Sequence, residues 1–365
     1  MPATAPEYGQ LPLTRVLGIV VVLLPLPAVL IWTVLTKSHA SYNKHRSVKR
    51  IVGDSIVRYS THYLQIPQLQ YLLGTTFGVY RTWANKAHLP LVIDELGDDA
   101  RLLWISPKRL DHVILFLHGG GYVLPVADFY LSFWKYVQRE LEKRDIGVGV
   151  AVLQYSLAPM ANFPTPLNQA RLALEFLVAA GVKPANLQIT GDSAGGNLVL
   201  QLFSQMLHPR SGVPEIHLTA PLRGAFLMSP WVVLTTDSQS YSDHDGIDLF
   251  TKECLASTGD IVLAGFSGAD GQNAAFAQPA RAPESWFKNV DGIVERVLVT
   301  AGGAECMYDD ITEFVEGFKK HHRDVEFAVQ PGGLHEDPFL DFLIGEKKLG
   351  VLTPRIVDWI AAGFD

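Results

Sequence analysis

The pentapeptide Gly191-Asp192-Ser193-Ala194-Gly195 fits G-x-S-x-G and stands between the strand-like LQIT and the helix-like NLVLQLF. Glycines on both sides let the chain turn sharply enough to lift the serine Oγ off a strand end, and the following helix aims its first N–H groups at the same place. That is the setting of an oxygen nucleophile for a carbonyl carbon. Such a serine needs a base to take its proton and a carboxylate to orient the base. His335, in Gly332-Gly333-Leu334-His335-Glu336-Asp337, follows the last strand-like run and is the candidate base. Glu305, Asp309 and Asp310 all follow the run VLVTA and are the candidate acids. Glu305 is favoured as the first carboxylate after the turn Gly302-Gly303, whereas Asp309 and Asp310 suit a helix start, where negative charge is stabilised.

A second glycine run, His118-Gly119-Gly120-Gly121, directly follows the apolar ILFL. Its backbone can approach a substrate closely, so the N–H groups of Gly119 and Gly120 join that of Ala194 as expected holders of a developing oxyanion. His118, at a strand end, is expected to brace this loop. A phosphate loop is excluded because no Gly-Lys-Ser/Thr follows. Other histidines, such as His208, His217, His321 and His322, are expected at the surface, and Cys306 is expected to fill space beside Glu305. Neither H-E-x-x-H nor a spaced Cys/His cluster occurs, so no metal or cofactor is expected.

Several elements must position these groups. Leu91–Glu95 and Arg101–Ile105 flank Gly97-Asp98-Asp99 and read as a hairpin. Apolar runs then alternate with helical stretches: His112–Leu117, a helix over about Asp128–Lys143, Gly147–Gln154, a helix over about Pro166–Ala180, Leu187–Thr190 and a helix from near Ala194. Ala225–Met228, Val297–Thr300, a helix near Asp309–His321 and Val325–Val329 complete the series. This order predicts a mostly parallel sheet covered by helices on both faces. Ser41 to His88 reads as one or two amphipathic helices, and the irregular stretch Trp231–Trp286 as an insertion lying over the strand ends as a lid.

The bulk properties agree with a large core and an anchor. Of 365 residues, 48% are hydrophobic and only 18% charged, with a net charge of −7, which gives no footprint for nucleic acid. The two cysteines cannot build a disulfide framework, and no Asn-x-Ser/Thr sequon occurs. Val16 to Leu35 is uncharged and almost wholly apolar, and its twenty residues are long enough as a helix to cross about 30 Å of hydrocarbon. Ser38-His39-Ala40 would pass as a signal-peptide cleavage site, but the run exceeds the usual core of about 7–15 residues, so a single-pass anchor is favoured. Pro25 and Pro27 lie near its middle, where a kink is expected. Lys37, Lys44, Arg46, Lys49 and Arg50 follow it and only Arg15 precedes it, which favours a cytosolic main domain, and the expected membrane is that of the endoplasmic reticulum. The expected division is 1–40 for tail and anchor and 41–365 for one catalytic domain, capped by about 41–90 and 232–290.

Together these motifs resemble the hormone-sensitive-lipase-like branch of the α/β hydrolases and, more loosely, its membrane-anchored fungal steryl acetyl hydrolases. The resemblance spans about His112 to Phe339. It rests on His118-Gly119-Gly120-Gly121, Tyr155-Ser156-Leu157-Ala158-Pro159 with Phe163-Pro164, Gly191-Asp192-Ser193-Ala194-Gly195-Gly196-Asn197, Ser229-Pro230-Trp231-Val232 and His335. It implies the roles already given to Ser193, Gly119, Gly120, Ala194 and His335. It places the acid in a Gly-x-x-Asp-x-Leu pattern, here Gly302-Gly303-Ala304-Glu305-Cys306-Met307, with Glu for Asp. Glu336 also stands where a glycine commonly follows the base. The implied fold is an α/β-hydrolase sheet with a helical cap over an apolar pocket. The expected function is hydrolysis of a lipophilic ester, such as an acetylated sterol, terpenoid or polyketide, through an acyl-enzyme. The alternatives are acyl transfer to an alcohol from the same site and a non-catalytic small-molecule receptor.

Overall fold

The computed structural model describes residues 8–44, 46–266 and 271–364. Residues 1–7 of the expected tail, position 45 and 267–270 of the expected cap, and the last residue lie outside that range. The short runs Val113–Leu117, wholly apolar, and Leu187–Asp192, with Gln, Thr and Asp among its residues, are both buried at every position, as strands covered on both faces must be.

In chain order the elements are α1 (Leu13–Leu23), α2 (Leu26–Lys37), α3 (Val48–Tyr63), α4 (Ile66–Leu73), α5 (Thr76–Lys86), β1 (Ile93–Gly97), β2 (Ala100–Ile105) and β3 (Val113–Leu117). Next come α6 (Asp128–Glu142), β4 (Gly149–Gln154), α7 (Thr165–Ala179), β5 (Leu187–Asp192), α8 (Ser193–Leu207) and β6 (Gly224–Met228). The insertion supplies α9 (Gln239–Asp243), α10 (Lys252–Ala264) and α11 (Gly271–Ala277), and the chain ends with β7 (Val297–Gly302), α12 (Tyr308–Phe318), β8 (Val325–Gln330), α13 (Asp337–Ile344) and α14 (Leu352–Ala362).

The sheet order is β1-β2-β4-β3-β5-β6-β7-β8. The β1–β2 and β2–β4 pairs are antiparallel and the rest parallel, so the ends of β3, β5, β7 and β8 open onto the same edge. Alternate residues of one strand serve opposite cores: Leu115, Ile189, Leu227 and Val299 pack against Leu174, Leu198, Leu202 and Phe314, whereas Phe116, Val152 and Phe226 pack against Leu131, Trp134 and Ile356. The first hairpin sits later than read, with Ile93–Gly97 pairing Ala100–Ile105, because the turn tightens onto Asp98 and Asp99 at positive φ.

Three helices, not one or two, fill Ser41 to His88. Pro67 starts α4 after Leu64 turns extended, and Gly74 at φ 74° ends it. The apolar segment is likewise two helices, interrupted at Leu24-Pro25, where prolines withhold backbone donors. Leu13–Lys37 has a mean hydropathy of 2.5 over its most apolar window and is long and apolar enough to cross a membrane by length and composition. Its outer side exposes Leu13, Leu17, Val20, Val21, Leu24, Ile31, Trp32 and Leu35. Its inner side is tied to the domain: Tyr59 Oη donates to Val22 O at 2.7 Å, Arg15 Nη1 to Gln65 Oε1 at 3.0 Å and Gln68 Nε2 to Arg15 O at 3.1 Å.

Helix α3 is joined to α13 by buried charge. Arg50 contacts Asp54 at 2.7 Å, Asp337 at 2.7 Å and Asp341 at 2.8 Å. Asp337 Oδ1 also accepts the Leu334 N–H at 2.9 Å, next to the expected base. Removing the guanidinium leaves buried Asp341 without a cation and leaves Asp54 and Asp337 only the more distant Arg46, at 3.6 and 4.0 Å. Arg50→Met in the full chain in detergent is expected to lose about 3–5 kcal/mol of stability, seen as a lower urea midpoint; a loss below about 1 kcal/mol would show that the cluster does not hold α3 to this loop.

Candidate active site

Ser193 sits where β5 runs straight into α8, at φ 47°, a conformation that a residue with a Cβ adopts only when its surroundings impose it. The imposition comes from close packing: a Cβ on Gly195 would collide with the Leu117 carbonyl, and one on Gly191 with the Gly195 backbone. The Ser193 carbonyl accepts the Trp231 N–H at 2.9 Å, tying the elbow to the end of β6.

Glu305 and His335 come together from the loops after β7 and β8. His335 Nδ1 lies 3.1 Å from Glu305 Oε2, and both residues are fully buried. His335 Nε2 has no hydrogen-bond partner among the described residues, so the bond to Ser193 is not made in this state; Nε2 lies 3.5 Å from Glu336 Oε1 instead. Ser193 is itself only 5% exposed, and the Phe250 ring from the insertion between β6 and β7 stands edge-on to the imidazole at 5.5 Å. Asp309 Oδ2 accepts the Ser240 N–H at 2.8 Å and Asp310 opens α12, so neither competes with Glu305 at the imidazole.

The glycine loop requires one correction. Gly119 N–H does not face a substrate: it donates to both carboxylate oxygens of Asp192 at 3.0 Å. Strand β3 carries this N–H directly across to the end of β5, where Asp192 is the nearest acceptor. Gly120 and Gly121 then turn to φ 96° and 62°, and their N–H groups meet no acceptor among the described residues. Ala194 N–H, in the first turn of α8, is free in the same way. His118 is fully buried, with Nδ1 2.8 Å from Gly119 O, Nε2 3.4 Å from Thr76 Oγ1 and its ring stacked on Tyr155 at 4.5 Å. Burial, partly offset by the Gly119 carbonyl, pushes His118 down to about 4, so it stays neutral.

Of the histidines expected at the surface, His217 is exposed but His322 is buried, its Nε2 on Val294 O at 2.8 Å. Among the described residues no group of three His, Cys, Asp or Glu is arranged to hold a metal ion.

A family model of the alpha/beta hydrolase fold matches residues 114–338. An ethyl acetate hydrolase of Pseudomonas putida is 37% identical over 287 residues, 74% of this chain and 83% of that protein. The chain belongs to the α/β hydrolases, in their hormone-sensitive-lipase-like branch. This hydrolase is also similar to a Schizosaccharomyces pombe protein named as a steryl acetyl hydrolase, 27% identical over 154 residues, 40% of this chain and 38% of the relative. The crystal structure of an esterase from the bacterial hormone-sensitive lipase family shares the fold, with a TM-score of 0.64 at 24% identity, over 88% of this chain and 99% of that one. The chain is an enzyme that hydrolyses carboxylic esters.

Two carboxyl groups in the site of this hydrolase were not foreseen from sequence. Glu336, at φ 53°, accepts from Tyr130 Oη at 2.5 Å, and its carboxyl group hydrogen-bonds that of Asp192. Burial, and then the charge of Glu336, raise Asp192 of this pair well above the usual carboxylate range. The pair's only sequence signal was a glutamate in place of glycine after His335. Burial raises Glu305 to about 7, against the lowering effect of its bond to His335. Burial by itself would lower His335, but the Glu305 bond and the charges of Glu336, Glu305 and Asp248 outweigh it and push it up to about 9.

A general base works when neutral, so kcat/KM is expected to climb as pH rises through the region between the ordinary histidine value and about 9. Glu305→Gln removes two of the raising causes; the acid limb is expected to move to lower pH while kcat falls by roughly a thousandfold or more. A pH–rate profile on a chromogenic ester checks both, and an unmoved limb would remove Glu305 as the partner of the base.

Proposed function

We propose that this protein is a membrane-associated serine carboxylesterase that removes an acetyl or similarly short acyl group from a lipophilic ester. The observation that carries the reading is the buried 3.1 Å contact between His335 Nδ1 and Glu305 Oε2 on the same sheet edge as the strained Ser193. Ser193 Oγ attacks the ester carbonyl while His335 Nε2, which has no hydrogen-bond partner among the described residues, takes its proton. Glu305 holds Nδ1–H and stabilises the imidazolium. Ala194 and Gly120 N–H groups hold the oxyanion, with Gly121 in the place first read for Gly119. His335 returns the proton to the leaving alcohol, and water activated by the same nitrogen releases the acid.

The names of the relatives, both acetyl-ester hydrolases, support the short acyl group. The exposed apolar side of Leu13–Lys37 supports a membrane and therefore a substrate that partitions into one. Of the basic residues after that segment, Arg46 and Arg50 are spent on buried ion pairs with Asp54, Asp337 and Asp341, which leaves Lys37, Lys44 and Lys49 to favour a cytosolic face. A second reading, acyl transfer to an alcohol, is favoured by one observation: Ser193, Glu305 and His335 are all closed off from water beneath the cap.

Purified protein is expected to hydrolyse p-nitrophenyl acetate and butyrate faster than octanoate, and Ser193→Ala to abolish turnover and fluorophosphonate labelling while leaving the fold intact. Product analysis with an added acceptor alcohol separates hydrolysis from transfer. Equal turnover by Ser193→Ala would overturn the assignment.

A further inference from the structure

We propose that Asp248, from the insertion between β6 and β7, is a positioning residue that joins the acid loop to the base loop and makes their geometry depend on the seated cap. The inference rests on the reading of Glu305 and His335 as acid and base. Asp248 is 1% exposed. Its Oδ1 accepts the N–H of His335 and of Leu249, each at 2.8 Å, and its Oδ2 accepts the N–H of Cys306 at 2.8 Å. One carboxylate therefore grips the backbone of the base itself and of the residue directly after the acid. The strand ends are also linked by Gly303 N–H to Gln330 O at 2.9 Å and Ala304 N–H to Gly333 O at 2.8 Å, but those bonds stop short of both functional residues.

Asp248 is in turn held from the opposite side by α3. Arg58 donates to the carbonyls of Ile247 and Asp248, and Thr61 Oγ1 to Leu249 O at 3.3 Å. The next residue lays its ring against His335, and its carbonyl accepts from Cys306 Sγ at 3.6 Å. The stretch from Ile247 to Phe250 thus lies between the N-terminal cap helix and the two loops, and lifting it would release the carboxylate from both. A displacement of about 1 Å between base and acid costs on the order of a hundredfold in rate, so this linkage is large enough to govern turnover.

The test is Asp248→Asn, with Asp248→Glu and Arg58→Met beside it, assayed in the full chain on p-nitrophenyl acetate across pH. His335 faces Glu305, Glu336 and Asp248; Asp248 faces Arg58 and Arg46 from α3 and the loop before it, and Glu305, Cys306 and Tyr241 from the other side. Asn keeps the volume but loses one acceptor and the charge that helps hold His335 up. The expected result is a kcat lower by roughly tenfold to a hundredfold, KM within about twofold, and an acid limb moved to lower pH. Glu should restore the position of the limb. Arg58→Met, which unseats the segment but leaves its carboxylate, should lower kcat in the same direction and serves if Asp248→Asn does not fold. Wild-type kcat and limb in a folded Asp248→Asn, or in Arg58→Met, would overturn the proposal. A loss of activity that tracks thermal unfolding with no movement of the limb would do so too. Failure of the underlying reading looks different: the wild-type protein would then lack the acid limb and fluorophosphonate labelling altogether.

Discussion

Two groups that water would ordinarily solvate, Glu305 and His335, meet at 3.1 Å where neither is exposed, and nearly every other feature near the sheet edge is a condition for that contact. Burial alone disfavours charge on either side chain; together, each supplies what desolvation removes from the other. The contact requires two loops to be fixed relative to each other. Adjacent parallel strands β7 and β8 bring them within reach, and Asp248 and Asp337 accept the N–H groups of His335 and Leu334, respectively. The ion cluster around Arg50 then ties Asp337 to α3. A buried acid–base pair is affordable here because the loops that carry it are fastened on three sides.

The same edge collects strain. Ser193, Ser229 and Glu336 all have positive φ without being glycine. They are kept there by a large core of Leu, Val, Phe and Trp side chains on both faces of the sheet, whose cooperative packing outweighs a cost of about 1–3 kcal/mol at each such residue. The strain has a geometric use. It turns Ser193 Oγ away from its own strand, and it lets Glu336 reach Asp192 and Tyr130 while its backbone N–H binds Ser229 Oγ at 3.2 Å.

Much of this was legible because it is local. Apolar runs without alternation marked the parallel strands, the glycine-flanked serine marked the elbow, and chain order marked His335 and Glu305. The unread features share a different origin: they depend on partners far away in sequence. Nothing in His118-Gly119-Gly120-Gly121 says that Asp192 will take the Gly119 N–H, since that follows from the lateral register of β3 and β5. Asp248 sits in a stretch without periodicity, and its value lies in Cys306 and His335. His322 looked like a surface residue on a polar stretch until Val294, reached by the chain folding back, supplied its acceptor. The extra break in the helices between Ser41 and His88 was carried by Pro67 and Gly74, signals present in the sequence but outweighed by the amphipathic pattern around them.

The central claim is that an ester's acyl group passes through Ser193, oriented by the buried pair. Its most direct test is intact-mass and peptide analysis of the protein quenched in acid during turnover of p-nitrophenyl acetate. The account predicts an acetyl adduct confined to the peptide carrying Ser193, trapped by the acid quench during turnover and absent from Ser193→Ala. Steady hydrolysis with no adduct at any quench time, or an adduct on another residue, would contradict it.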